Sequence, residues 1–224
     1  ENQVLFGSAD GRTFSEVALP GGNRDTRSTS VADVDGDGFV DIVVGNYVEE
    51  NQILFGSADG RTFSEVALPG GSRTTRSTSV ADVDGDGYMD IVVGNDHGQE
   101  NQVLFGSADG RTFSEVALPG GSMCTTSTSV ADVDGDGYMD IVVGNSYQEN
   151  QVLFGSADGR NFSEFALPGG SMYTYSTSVA DVDGDGYMDI VVGHNYGQEN
   201  QILFGSADGR TFSEVALPGG NRDT

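Results

Sequence analysis

Tryptophan and lysine are absent from this 224-residue sequence, cysteine occurs once and histidine twice. All ten basic residues are arginine, against 35 acidic residues, and the formal net charge is −25. Nucleic acids and anionic membranes are bound through clusters of Lys and Arg, which such an acidic surface cannot offer. We therefore expect no nucleic-acid partner and no anionic membrane partner.

Several further functions are disfavoured by what is missing. A single Cys124 excludes an internal disulfide framework, and no apolar run approaches the ~18 residues that span a membrane. His97 and His194 stand apart from any nucleophile motif, so we expect a protein that is not an enzyme. No signal peptide precedes Glu1, which predicts a mature or trimmed form.

What is present is a nine-residue acidic stretch that begins at Asp33 and returns almost unchanged from Asp82, Asp132 and Asp181. Carboxylates stand at its positions 1, 3, 5 and 9 and glycines at 4 and 6, so alternate side chains can turn onto one point. Ca²⁺ takes six to eight oxygens at about 2.3–2.6 Å, and four carboxylates with the backbone carbonyl of position 7 supply most of them. The predicted ligands are Asp33, Asp35, Asp37, Phe39 and Asp41; Asp82, Asp84, Asp86, Tyr88 and Asp90; Asp132, Asp134, Asp136, Tyr138 and Asp140; and Asp181, Asp183, Asp185, Tyr187 and Asp189.

Three other interpretations compete with a calcium loop. A solvated acidic turn fits one copy but explains four poorly. An EF-hand requires a bidentate Glu at position 12 and flanking helices, whereas position 12 here is always valine: Val44, Val93, Val143 and Val192. Mg²⁺ is disfavoured because it keeps several waters and uses few carboxylates.

The whole sequence repeats. Glu-Asn-Gln begins at residues 1, 50, 100, 149 and 199, a period of 49 or 50. Periods of about 40–50 residues with regular turn signals are typical of propeller blades, each a four-stranded sheet. The sequence therefore predicts a single all-β domain over 1–224, a β-propeller of four-stranded antiparallel blades. Its predicted parts are a half-blade at 1–27 and complete blades at 28–76, 77–126, 127–175 and 176–224.

Within the first complete repeat, four strands are predicted. Residues 28–33 are small and suit the crowded axis, and the β-branched run 41–45 suits a strand buried on both faces. Residues 51–56 and 63–68 form a hairpin around Asp59-Gly60, and Pro69-Gly70-Gly71 is expected to break the sheet.

The pattern Asp-x-Asp-Gly-Asp-Gly-x-x-Asp-Ile-x-Val-Gly resembles the FG-GAP/VCBS repeat of integrin α-subunit N-terminal propellers and of calcium-binding propeller lectins. The resemblance covers nearly the whole chain. It implies one Ca²⁺ per complete blade, four in all, an extracellular or cell-surface location, and a carbohydrate or protein ligand. It also implies about seven blades in a ring, so four blades would expose apolar faces and strand edges. We therefore expect a homo-oligomer or a segment of a larger ring.

The repeats differ mainly in two segments, after each Pro-Gly-Gly and after each buried strand. Both segments are predicted to lie on one face, opposite the calcium loops, and loops on a rigid scaffold commonly carry binding residues. The alternatives are neutral drift, and a structural, self-assembling or engineered scaffold without a ligand. The candidate ligand-binding residues are Arg24, Arg27, Tyr47, Arg73, Arg76, His97, Tyr147, Tyr173, Tyr175, His194 and Tyr196.

Overall fold

A computed structural model describes residues 2–218. These residues form sixteen β-strands and no helix, so none of them lies in a helix that could cross a membrane. The strands are β1 (Gln3–Gly7), β2 (Phe14–Ala18), β3 (Thr26–Ala32), β4 (Asp41–Phe55), β5 (Ser64–Ala81), β6 (Asp90–Asn95), β7 (Gln99–Phe105), β8 (Ser114–Met123), β9 (Thr125–Ala131), β10 (Asp140–Gln148), β11 (Gln151–Phe154), β12 (Ser163–Ala166), β13 (Met172–Ala180), β14 (Asp189–His194), β15 (Gln201–Phe204) and β16 (Ser213–Ala216).

Antiparallel pairing between consecutive strands builds curled sheets. The pattern is plainest at the C-terminal end, where β13 pairs with β14, β14 with β15, and β15 with β16. Nearer the N-terminus, one long strand takes the place of two. The first part of β4 pairs with β3, with Asp41 opposite Ala32, and its last part pairs with β5, with Phe55 opposite Ser64.

The predicted break at Pro-Gly-Gly occurs only in part of the chain. It separates β12 from β13, but β5 runs without interruption through Pro69, Gly70 and Gly71. The reason is that Ser72 and Arg73 pair with Glu50 and Glu49 of β4, so the backbone after the glycines remains in a sheet. The expectation of a break was therefore wrong for β5.

The hydrophobic core lies between successive repeats. Val43, Ile53 and Phe55 of one repeat pack against Ile91 and Leu104 of the next. The same packing recurs twice further along the chain with the corresponding residues. Burying apolar surface contributes about 25 cal/mol per Å², so each repeat is stabilised chiefly by its neighbour. All residues of β6 are buried, as expected for a strand covered on both faces.

The innermost strands carry small hydroxyl residues that bond from one repeat to the next. Ser28 Oγ lies 3.0 Å from Thr78 Oγ1, and Ser127 Oγ lies 3.1 Å from Thr177 Oγ1. A Cβ at Gly45 would meet the Thr75 methyl carbon at 2.8 Å. Small side chains are therefore required where the inner strands approach one another.

The hairpin turn of one repeat also packs on the acidic loop of the repeat before it. Gly110, in the hairpin between β7 and β8, has a positive φ of 64°, and a Cβ there would lie 2.4 Å from the Cα of Asp35. Gly159 and Gly209 stand in the same relation to Asp84 and Asp134. These glycines allow the backbones of neighbouring repeats to touch.

We expect Gly110→Ala to lower the free energy of unfolding more than Gly60→Ala does. Gly60 occupies the same turn with a φ of 63°, but a Cβ there would meet nothing within 4 Å. Both substitutions carry the strain of a left-handed alanine, about 1–2 kcal/mol, and only Gly110→Ala adds an overpacking penalty of about 1–3 kcal/mol. Urea unfolding of both variants measures the difference. Equal losses would show that the hairpin does not pack tightly on Asp35.

Candidate metal loops and the variable-loop face

Four acidic loops, 33–41, 82–90, 132–140 and 181–189, connect each inner strand to the buried strand after it. In the first loop, the aspartate carboxylates accept hydrogen bonds from backbone N–H groups of the same loop. Gly38 N donates to Asp33 Oδ2 at 2.9 Å, Asp37 N to Asp35 Oδ1 at 3.2 Å, and Phe39 N to Asp37 Oδ1 at 2.9 Å. Gly36 and Gly38 have φ values of 73° and 90°, which glycine adopts without strain.

These hydrogen bonds bring the carboxylates of each loop close to one another. In the first loop, one oxygen from each of Asp33, Asp35 and Asp37 lies within 4.8 Å of the others. The second and third loops repeat the arrangement with Asp82, Asp84 and Asp86 and with Asp132, Asp134 and Asp136. The fourth loop groups Asp181, Asp183 and Asp189 instead. Each group can hold a metal ion, since like charges at this distance repel unless a cation neutralises them.

One carboxylate oxygen in each of the first three loops has no hydrogen-bond partner. These buried atoms are Asp33 Oδ1, Asp82 Oδ1 and Asp132 Oδ1. A buried polar atom left unpaired costs free energy, and a coordinated cation would satisfy it. The residues present therefore fit an oxygen-seeking divalent ion.

The ninth position holds a different kind of aspartate. Asp41 is fully buried; its Oδ2 accepts from Val34 N at 2.7 Å and its Oδ1 from Gly56 N at 2.8 Å. Burial raises the pKa of Asp41, and it raises the pKa values of Asp90 and Asp140 to about 6, despite the same backbone hydrogen bonds. The structure thus places this aspartate at the base of the first three loops, outside the carboxylate group. In the first loop it joins Val34 at the start of the loop to Gly56 at the end of β4.

The predicted carbonyl ligands at position 7 remain predictions. The side chains of these residues are exposed beside the loops, from 36% for Phe39 to 41% for Tyr138. The other two are Tyr88 and Tyr187.

The variable-loop face is the end of the sheets that carries two sets of variable segments: 23–27, 72–76, 122–126 and 171–175 after each Pro-Gly-Gly, and 47–49, 96–99, 146–148 and 194–198 after each buried strand. Four repeats meet on this face at one cavity of about 400 Å³. It is lined by Thr26, Arg27, Arg76, Thr126, Tyr173 and Tyr175. Positions 27, 76, 126 and 175 are spaced 49, 50 and 49 residues apart, so each repeat contributes the same position. The structure therefore brings together four of the candidate ligand residues, and it adds two threonines that residue type alone did not distinguish.

Aromatic and basic side chains surround this cavity. Tyr47 Oη lies 3.2 Å from His97 Nε2, and the Arg27 guanidinium lies 5.1 Å from the centre of the Tyr47 ring. On the other side, Tyr173 makes edge-to-face contacts with Tyr147 and Tyr196, with ring centroids 4.9 and 4.7 Å apart. Rings held in this way present a fixed surface to a ligand.

Four residues of this face have left-handed backbone conformations without being glycine. They are Val48, His97, Tyr147 and Tyr196, with φ between 53° and 59°. This conformation is costly, above all for a β-branched residue, and such strain is concentrated at functional sites. Tyr147 and Tyr196 are 67% and 69% exposed, so the strained positions project rings into solvent. Residue type alone did not distinguish Val48, whose left-handed backbone is evident only in the structure.

Seven of the eleven candidate ligand residues lie outside the cavity lining, among them Arg24, Arg73 and His194. Arg24 and Arg73 pair at 3.3 Å with Glu65 and Glu115. Each also donates from Nε to the carbonyl of a Pro-Gly-Gly glycine at 3.1 Å. His194 Nδ1 lies 2.7 Å from the Glu199 carbonyl oxygen, in a second depression that shares Tyr175 with the cavity.

The curled antiparallel sheets, the repeating inter-repeat core and the acidic loops define a repeat module of propeller-like architecture. The FG-GAP-like repeat matches residues 33–93, 82–143 and 132–192. These matches cover more than half of the sequence, and the chain belongs to the FG-GAP-like repeat family. No curated protein sequence matches it significantly.

Solved structures share the fold at low identity. An exo-β-1,3-galactanase from Phanerochaete chrysosporium, solved with β-1,3-galactotriose, superposes with a TM-score of 0.58 at 11% identity. The match covers 96% of this chain and 54% of that one. BBS1N in complex with ARL6DN gives 0.57 at 12% identity, covering 87% and 58%. A putative exo-β-1,3-galactanase from Bifidobacterium bifidum gives 0.54 at 11%, covering 94% and 74%. The chain thus spans little more than half the length of the first two.

Proposed function

We propose that this chain is a non-enzymatic, calcium-stabilised β-propeller module that binds a glycan through its variable-loop face, outside the cell or at its surface. A half-blade and four complete four-stranded blades make up the module. The cavity that is lined by one equivalent residue from each of four successive inner strands, Arg27, Arg76, Thr126 and Tyr175, is the observation that carries the proposal. The acidic loops connect the strands at the opposite ends, so the metal braces the scaffold and does not contact the ligand.

Calcium is the ion that the loops suit best. Each loop offers several carboxylate oxygens and little else, which favours a hard cation of high coordination number over Mg²⁺. In the first loop, Asp33, Asp35 and Asp37 would hold the ion with the carbonyl of Phe39. The ion would neutralise the clustered carboxylates and satisfy the unpaired Asp33 oxygen.

We expect chelation with EDTA to lower the melting temperature by about 10–20 °C. At roughly millimolar Ca²⁺ and a Kd near ~10⁻⁴ M, each site stabilises the fold by about 1.4 kcal/mol, and 1 kcal/mol shifts the melt by about 2–4 °C for a domain of this size. Differential scanning calorimetry with and without EDTA measures the shift. Restoration by Ca²⁺ but not by equal Mg²⁺ is expected; an unchanged melt in EDTA would contradict the calcium proposal.

The chemistry of the cavity supports a sugar as ligand. Tyr173 and Tyr175 supply flat faces for stacking, while Arg27 and Arg76 supply hydrogen-bond donors for hydroxyl or carboxylate groups. The Thr126 hydroxyl already donates to the Thr174 carbonyl oxygen at 2.7 Å, so it can only accept a hydrogen bond from a ligand. Arg76 is held by Asp96 at 2.9 Å, so its position is fixed before a ligand arrives. A protein ligand is the second candidate, because the exposed Tyr147 and Tyr196 extend the aromatic surface beyond the cavity.

An enzymatic role has little support among the described residues. His97 contacts Tyr47 and Asp96, and His194 contacts a backbone carbonyl, so neither imidazole is arranged to activate a Ser or Cys hydroxyl or thiol. The likeness to exo-galactanases is one of fold alone.

We expect a glycan array probed in millimolar Ca²⁺ to show binding to a defined sugar class. Tyr175→Ala removes a stacking ring from the cavity and should weaken that binding at least ~10-fold, in line with about 1–3 kcal/mol for a contact residue. Tyr138→Ala is the matched control, because Tyr138 is an exposed tyrosine of an acidic loop on the opposite face. Both variants are first shown to melt as the parent does. Equal effects of the two would contradict the site, and silence of the folded parent would favour a protein ligand or a scaffold without a ligand.

The last repeat, 176–224, exposes a surface whose equivalent is buried in each of the three earlier repeats. Val182 is 47% exposed, whereas the equivalent Val34, Val83 and Val133 are 3–4% exposed beneath the following repeat. We propose that a second copy of the chain covers this face, because it is continuous with the packing surface that each earlier repeat presents to its neighbour. The chain would then be one segment of a larger ring.

Light scattering in Ca²⁺ should therefore give a mass that is a multiple of the 23.4 kDa chain. Val182→Asp places a charge in the contact and should shift the mass toward one chain without loss of the folded signal. The parent protein at a single-chain mass over a wide concentration range would contradict the self-association proposal.

A further inference from the structure

An arginine from the hairpin of each later repeat reaches the acidic loop of the repeat before it. Arg111 Nη2 lies 2.6 Å from Asp35 Oδ2, 76 residues away in sequence. Arg160 and Arg210 make the same contact with Asp84 and Asp134, both at 2.8 Å. The side chains of the paired aspartates are only 4–5% exposed, so the hairpin shields the third carboxylate of these three loops from solvent.

Each of these arginines is also held from a second side. The Arg111 guanidinium lies 4.3 Å from the centre of the Phe55 ring, which belongs to the same repeat as the loop. Arg160 and Arg210 lie 4.5 Å from the rings of Phe105 and Phe154. A guanidinium fixed between an aromatic face and a carboxylate loses little further freedom.

The contact with Arg111 uses only one carboxylate oxygen of Asp35, so the other oxygen is free to interact within the loop. Asp35 Oδ2 accepts from Arg111, whereas Oδ1 accepts from the backbone N of Asp37 inside the loop. The arginine therefore sets the rotation of a carboxylate that belongs to the metal-holding group. Partners that orient a ligating carboxylate in this way commonly change metal affinity 10–100-fold when removed.

We propose that Arg111, Arg160 and Arg210 are positioning residues for the metal sites of the preceding repeats, and that the four loops consequently form two affinity classes. Three loops are completed by the next repeat and bind Ca²⁺ tightly. The fourth, 181–189, binds it more weakly. This inference rests on the calcium binding proposed above.

The fourth loop shows what happens where no arginine of the described residues reaches the third position. Asp181 Oδ1 accepts from Gly184 N at 2.7 Å and from Asp185 N at 3.1 Å. In the other three loops the corresponding Oδ1 atoms are buried without a partner. The fourth loop therefore satisfies this oxygen with its own backbone, and a cation must displace those hydrogen bonds.

Repulsion between the guanidinium and a bound cation acts in the opposite direction. It is weakened because the Arg111 side chain is 50% exposed, so solvent and salt screen its charge. The aspartate that it orients is almost fully buried, where rotation of the carboxylate is governed by its fixed partners. Positioning therefore outweighs repulsion.

The test is calorimetric titration of the EDTA-stripped 224-residue chain with CaCl₂, at a concentration where light scattering gives the single-chain mass, so that no second copy covers the fourth loop. The parent should show three tight sites and one site at least ~10-fold weaker. Arg111→Gln should convert one tight site into a weak one, and Arg111→Gln with Arg160→Gln should convert two. Asp35→Asn, which removes charge from a ligand itself, provides the positive control.

Arg61→Gln is the matched negative control. Arg61 occupies the same hairpin position and lies 4.7 Å from the centre of the Phe6 ring, but it donates to Ser15 Oγ at 3.1 Å and pairs with no acidic loop among the described residues. It should leave three tight sites. A purely structural arginine would lower the melting temperature alike in EDTA and in Ca²⁺, without changing the number of tight sites.

Two results would overturn the inference while leaving calcium binding intact: four equivalent sites in the parent, or an Arg111→Gln titration that matches Arg61→Gln or shows tighter binding. No heat from CaCl₂ in the folded parent would refute the calcium proposal itself.

Discussion

Each acidic loop brings three carboxylates within 4.8 Å of one another, and the repulsion between them must be balanced before the flanking strands can pack. Three kinds of contact offset this repulsion. Backbone N–H groups of the loop donate to the carboxylates, and a buried aspartate joins the loop to the backbone that follows the next strands, at Gly56 in the first loop. In the first three loops, an arginine of the next repeat also contacts the third carboxylate. A divalent cation would complete the neutralisation, since the first three loops each keep one buried oxygen unpaired.

This arrangement separates the molecule into two faces with different constraints. The loops at one end contact both their own repeat and the next, so a substitution there disturbs two packing surfaces. The loops at the other end carry left-handed residues such as His97 and Tyr196 and exposed rings that nothing in the core requires. Sequence variation is therefore tolerated on the variable-loop face, and that is where four equivalent positions gather around one cavity.

The sequence was sufficient for features that depend on neighbours in the chain: period and residue type predicted the family, the buried strand β6 and the convergence of carboxylates in each loop. Features that depend on residues far apart in the chain could not be predicted from period and residue type. The contact between Arg111 and Asp35 joins residues 76 positions apart. The strand β5 continues through Pro69 because the residues after it find partners on β4. Val48 takes a left-handed conformation that its β-branched side chain disfavours, so local preference is overridden there too.

Near-identical repeats need not be functionally identical when the following repeat contributes contacts to the acidic loop of the one before it. Gly60 and Gly110 lie in hairpins of the same sequence, yet only Gly110 rests on an aspartate of the preceding loop. Loops 132–140 and 181–189 have the same residues, yet Asp132 leaves an oxygen unpaired and Asp181 bonds that oxygen to its own backbone. The difference arises from position in the array and not from sequence, because the packing surface that orients the third carboxylate belongs to the following repeat. If the loops bind a cation as proposed, a tandem array built in this way would couple metal binding in one repeat to the docking of the next. By reciprocity, the docking of each repeat would strengthen metal binding in the one before it.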